Sequence, residues 1–165
     1  MRVQIAIDTF DDIFPDFDIR DYKERYISSD FLNELRMRTY KMLNRKNVII
    51  CLLIPGQERN GVSEKIIEKR LKDFFKNRYI RNQRRKKEIM VKAIYFECIG
   101  ILFLFVALFL SKYTFEYFKE FMLIPSWFFV WNGLEKYFDH KKIIDKKITY
   151  YSFLSKSSVH FEDSN

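Results

Sequence analysis

Apolar positions change their spacing several times along this chain, and each spacing predicts a different element. At the start, RVQIAID alternates, with Val3, Ile5 and Ile7 on one side, the two-residue period of a strand over residues 2–8. Residues 47–55, NVIICLLIP, form an unbroken apolar run halted by Pro55 and Gly56, which predicts a second, fully buried strand. Between the two, Ser29 and Asp30 stand where a helix N-cap belongs, and Phe31, Leu32, Leu35, Thr39, Met42 and Leu43 share one helical face. A further amphipathic helix is expected from a cap at Ser63, with Ile66, Ile67, Leu71, Phe74, Phe75 and Tyr79 on its apolar side, running on through a basic stretch into the apolar run that follows. Ile144, Ile148, Tyr151 and Leu154 keep helical spacing, so a last helix is expected ahead of a short third strand over residues 158–162.

In the middle of the chain the amphipathic pattern gives way to a continuous apolar one. Residues 93–111 read AIYFECIGILFLFVALFLS, with Glu97 the single charge. At 1.5 Å per residue this helix is roughly 28 Å long, close to the ~30 Å hydrocarbon core of a bilayer. A soluble core helix would keep a polar face, and residues 99–110 have none beyond Gly100. A second apolar run, residues 121–131, is shorter and contains Pro125. Extended over residues 114–135 it is long enough to span, with Glu116, Lys119 and Glu120 in the outer headgroup region and a neighbouring helix compensating for the proline.

Small residues recur every seven positions on both runs: Ala93, Gly100 and Ala107 on the first, Ser126 and Gly133 on the second. Folding the chain about residue 113 sets Ala93 near Gly133 and Gly100 near Ser126, a seam that lets helix backbones approach. Glu97 falls on that face, where a carboxylate is costly unless protonated, hydrogen-bonded to Asn132 or an indole, or snorkelling to the interface. Used as an ion or proton relay it would need polar partners at its own depth, and the sequence offers none.

Charge then orients the hairpin. Residues 64–92 hold twelve basic and four acidic side chains and so carry the whole net charge of +8, since the flanking regions balance. Arg81, Arg84, Arg85, Lys86 and Lys87 precede the first run, and Lys136, Lys141, Lys142, Lys146 and Lys147 follow the second, whereas the connection has only Lys112 and Lys119. The positive-inside rule places both termini in the cytosol. Tyr113 and Tyr117 at one end, with Trp131 and Tyr137 at the other, suit an interfacial aromatic belt. The N-terminus turns acidic by Asp8 without a long apolar stretch, so insertion is expected to rely on an internal signal. The basic helix, with its interleaved aromatics, has the charge for weak nucleic-acid contacts, but its position favours anionic headgroups, with Arg81, Arg84, Arg85, Lys86, Lys87, Lys141 and Lys142 as the membrane-surface set.

Candidate chemistry is sparse. The segment TFDDIFPDFDIRDYKER, residues 9–25, alternates aspartates with aromatics, and Asp11, Asp12, Asp16 and Asp18 are the candidates for a divalent cation. It lacks the central glycine and closing glutamate of an EF-hand, so the preferred reading is an ordered acidic loop whose aromatics pack on the small sheet and whose carboxylates meet nearby Lys and Arg. Cys51 and Cys98 fall in a predicted cytosolic strand and a predicted membrane helix, which argues against a disulfide. His140 and His160 complete no zinc-type ligand set and have no evident catalytic neighbour, and no phosphate loop, G-x-S-x-G or H-E-x-x-H motif occurs. No cofactor and no enzymatic activity are expected.

The stretches DDIFPDFDIRDYKERYISSDFLNEL, IEKRLKDFFKNRYIRNQRRKKE, PSWFFVWNGLE and FLSKSSVHF together resemble a group of short prokaryotic two-helix membrane proteins without an assigned activity. The resemblance implies the same two-helix topology and no reaction, cofactor or catalytic residue. The expected fold class is membrane α+β: a two-span transmembrane hairpin attached to a small cytosolic α+β layer formed by the N- and C-terminal segments. The expected regions are residues 1–63 (strand, helix, strand), 64–92 (basic juxtamembrane helix), 93–136 (hairpin) and 137–165 (helix and strand). The functional expectation is a multi-pass cell-membrane protein acting as an interaction or assembly module, with a protein partner or self-association. A pore-forming effector with Glu97 facing the lumen is the alternative, and a cation-binding membrane protein a weaker one.

Overall fold

The computed structural model describes residues 2–43, 45, 48–112 and 116–164. Asn47 of the expected second strand, Tyr113 of the expected aromatic belt and Thr114 at the expected start of the second span lie outside them, as does the side chain of Glu116. The chain divides into two compact units, residues 1–79 with 149–165, and residues 80–148.

The first unit is built on a three-stranded sheet. Strands β1 (Arg2–Ala6), β2 (Ile49–Ile54) and β3 (Ser158–Asp163) lie side by side in the order β1-β2-β3. Both pairings are parallel, with Val3 opposite Ile50 opposite Val159. Parallel neighbours need long crossovers. The first carries helix α1 (Ser29–Thr39), and the second carries helix α2 (Gly61–Ser111) and helix α3 (Glu116–Lys156), whose residues from 80 to 148 belong to the second unit.

Alternation assigns the faces of this sheet. Val3, Ile5, Ile50, Leu52, Ile54 and Val159 join one core with Phe31 and Leu35 of α1, Ile67, Leu71 and Phe75 of α2, and Leu154 of α3. On the opposite face Gln4, Ala6 and His160 are exposed. Cys51 alone is fully buried there: its S–H donates to Glu162 Oε1 at 3.5 Å, and Arg2 Nη1 reaches the same oxygen at 3.2 Å. Burial and the adjacent Glu162 carboxylate both push the Cys51 thiol pKa up, so it rests as an inert thiol.

Three element boundaries differ from the sequence reading. The N-cap of α1 is Ser28, whose Oγ accepts from Asp30 N at 3.2 Å, where Ser29 and Asp30 were the expected caps. Three consecutive capping residues, Ser28, Ser29 and Asp30, make the register ambiguous in sequence, and the geometry selects the first. The start of α2 is capped by Asn60, whose Oδ1 accepts from Val62 N at 3.0 Å, rather than by Ser63. Finally, the expected last helix is not separate: α3 runs unbroken for 41 residues, because neither glycine nor proline interrupts residues 134–156. The basic stretch, as expected, is the middle of one helix that runs on into the apolar run, since α2 is continuous for 51 residues.

Candidate functional site

Within the second unit, the facing parts of α2 and α3 form a closely packed antiparallel pair. The small residues sit where the helices meet: Ala93, Gly100, Ala107, Ser126 and Gly133 are all buried. A methyl group added at Gly100 would lie 2.6 Å from Val130 Cγ2, 2.9 Å from Val130 N and 3.0 Å from Ser126 O. At Gly133 it would lie 2.7 Å from Glu97 Cγ and 3.1 Å from Ala93 O. Approach this close is possible only without a β-carbon, and it lets Ser126 Oγ donate to Gly100 O across the pair at 2.8 Å. Phe129 stacks on Phe103 with ring centroids 5.7 Å apart and meets Phe96 at 5.9 Å, filling the space beside the glycines. Glu97 is half-buried in this contact. Asn132, one of the partners considered for its carboxylate, donates to Phe128 O of its own helix at 2.8 Å.

Cations gather at one end of the pair. Arg81, Arg84, Arg85, Lys87 and Lys142 are exposed. Lys86 reaches Asp145 of the other helix at 2.6 Å. Lys141 donates to the Tyr137 hydroxyl at 2.7 Å and lies 4.5 Å from that ring's centre. The outward faces are apolar: Ile94, Leu102, Phe105, Leu108 and Phe109 of α2 are exposed. On α3, Phe121, Ile124, Trp127, Phe128 and Trp131 are each 60–70% exposed. Of the most apolar stretch of α2, only 11% is buried, which is the reverse of a soluble core helix.

The aspartates of the acidic loop are dispersed among separate partners. Asp18 forms a bidentate pair with Arg20, at 2.8 Å from Nε and 2.7 Å from Nη2, and accepts from Tyr26 N at 2.9 Å. The Arg20 guanidinium and the Tyr26 amide together hold the Asp18 carboxyl well below the usual carboxylate range. Asp12 Oδ2 accepts from Asp8 N and Thr9 N, closing the turn at Phe10–Ile13. Asp11 pairs with Arg25 at 2.5 Å, and Asp16 is exposed. Arg25 also covers the Tyr22 ring at 4.9 Å, and Arg70 of α2 donates to Arg25 O at 2.9 Å, tying the loop to the core. Among the described residues no three His, Cys, Asp or Glu side chains come together as a metal site. The sequence pointed to nearby cations for these carboxylates without saying which, since the pairing of Asp18 with Arg20 is set by the conformation of the loop.

No protein-family model, curated protein or solved structure matches the chain. Fold and site therefore define it at the level of class: a mostly helical protein with a small parallel three-stranded sheet. One of its helices, over residues 61–109, is long and apolar enough to cross a membrane.

Proposed function

We propose that this chain is an integral membrane protein whose α2 and α3 both cross the bilayer as a hairpin, and that its α/β unit is a cytosolic, non-enzymatic interaction or assembly module. The observation that carries this reading is the outward apolar face shared by both helices. Phe121, Ile124, Trp127, Phe128 and Trp131 expose as much of themselves as Leu102, Phe105 and Phe109 do. Soluble monomers rarely expose contiguous apolar patches beyond a few hundred Å². Lipid is the solvent that removes this cost for both helices at once. The exposed Arg81, Arg84, Arg85, Lys87 and Lys142 support an inner boundary against anionic headgroups and cytosolic termini. Glu97 lies over Gly133 between helices of one chain, which favours a packing role over a pore-lining one.

Labelling with a membrane-impermeant thiol reagent, in a Cys51→Ser, Cys98→Ser background, tests the topology. Lys112→Cys is expected to react in intact cells, and Ser164→Cys only after lysis. Reaction of Ser164→Cys in intact cells would remove the second span, and a chain released from membranes without detergent would remove both. Affinity purification in mild detergent tests the module: a stoichiometric partner or self-assembly is expected, and a lone monomer would end that half of the proposal.

A further inference from the structure

The two edges of the sheet are not equivalent. Ile7 N donates to Leu53 O at 2.9 Å, so the odd residues of β1 turn their backbone toward β2 and the even ones outward. That outer edge is closed in part by α1, since Arg38 Nη1 donates to the outward Gln4 O at 2.5 Å. On β3, Ser164 N donates to Ile54 O at 3.0 Å, so even residues face β2 and Val159, Phe161 and Asp163 present their N–H and C=O groups outward. Among the described residues none of these outward groups has a hydrogen-bond partner. An unpaired strand edge is a template for another strand.

We infer that the β3 edge pairs with the same edge of a second copy of this chain, antiparallel about Phe161, joining two three-stranded sheets into one. This deepens the interaction-module reading, on which it rests, by naming the partner. Only outward residues can hydrogen-bond across the new seam, so a two-fold centre falls on a residue and not between two, and centres 160, 161 and 162 differ in the partner each gives Glu162. Centring on residue 162 sets Glu162 against Glu162 of the second copy, and centring on residue 160 leaves Glu162 opposite Ser158. Centring on Phe161 pairs residues 159–163 of both copies and sets His160, an imidazole with an N–H to donate, opposite Glu162 in both directions. Those are non-hydrogen-bonded pairs, where opposing Cα atoms come within about 4.5 Å and side chains interact most strongly. Glu162 uses Oε1 for Arg2 and Cys51, which leaves Oε2 for the second copy. Phe161, half-buried against Phe10 with ring centroids 5.6 Å apart, gains its own counterpart as a cross-strand neighbour.

The test uses the full-length protein in detergent, with its mass read by light scattering over a dilution series. Phe161→Pro removes an outward donor without touching the bonds to β2. His160→Glu, at an exposed position where the fold is indifferent, sets carboxylates against each other, and His160→Lys keeps opposite charges in place. Wild type and His160→Lys are expected to be dimers, and Phe161→Pro and His160→Glu monomers with unchanged circular dichroism. Should Phe161→Pro unfold the sheet, His160→Glu against His160→Lys decides alone. A dimer indifferent to the His160 substitutions overturns edge pairing but leaves the module reading intact. So does a monomer that co-purifies with a different protein in fixed stoichiometry. A lone wild-type monomer overturns both.

Discussion

Gly100 has the backbone of the other helix directly in front of its α-carbon, with Val130 N and Ser126 O both within about 3 Å of where a β-carbon would stand. Those atoms cannot rotate away, so Gly100→Ala forces the helices apart and is expected to cost about 1–3 kcal/mol. Gly133→Ala is expected to cost somewhat less, because the backbone atoms facing it, Ala93 O at 3.1 Å and Glu97 N at 3.3 Å, stand farther off than those facing Gly100. Gly61→Ala meets open space and should stay within about 0.5 kcal/mol of wild type. Unfolding of the three variants in detergent measures this order, and equal effects would contradict it. Asp18 makes a second prediction. Its folded pKa lies below the ordinary 3.8, so the unfolded chain binds more protons in acid, and the carboxylate's contribution is complete above 3.8 and lost as pH falls below it. The melting-temperature gap between wild type and Asp18→Asn is expected at neutral pH and should close on acidification; a gap constant down to about pH 3 would refute the assignment.

For the elements, period and punctuation carried most of the information. Val3 and Ile5 alternate because one face of β1 is buried, and β2 reads as solid apolar because it is flanked on both sides and Cys51 is sealed as well. What spacing could not supply was the cap of α1, where Ser28, Ser29 and Asp30 compete, and the continuity of α3 through a stretch rich in lysine. Ser28→Ala is therefore expected to destabilise the α/β unit by about 1 kcal/mol, with Ser29→Ala nearly neutral. Thermal denaturation of the two variants reads the difference, and the reverse order would return the cap to Ser29. The seam was legible from composition, since small residues spaced by seven are conspicuous among Phe, Leu and Ile. The bidentate grip of Arg20 on Asp18 was not, because it depends on a loop conformation that no periodicity encodes.

At the scale of the whole molecule, charge segregation is the other feature that sequence alone displayed. Among the described residues, the exposed Arg84, Arg85 and Lys87 take no part in ion pairs within the helix pair, unlike Lys86 with Asp145. Replacing Arg84, Arg85 and Lys87 together by Gln should weaken association with anionic lipid by about 1 kcal/mol per residue while sparing the fold. Native mass spectrometry of lipids retained by the purified protein checks this, and unchanged retention would dissociate these residues from headgroups. The parallel order of the sheet was beyond sequence reasoning, since alternation shows that a face is buried but not which strands are neighbours or in what direction they run. That order has a consequence for synthesis. The middle strand is made early, yet the neighbour that completes its far flank leaves the ribosome only after residues 55–157 have been translated. Until then one side of Ile50 and Leu52 stands bare, and the nascent N-terminal part is an open-edged, unfinished core that needs shielding. Strand β3 thus acts as a latch on everything made before it, and a chain that stops short of it is left unclosed at the centre of its sheet.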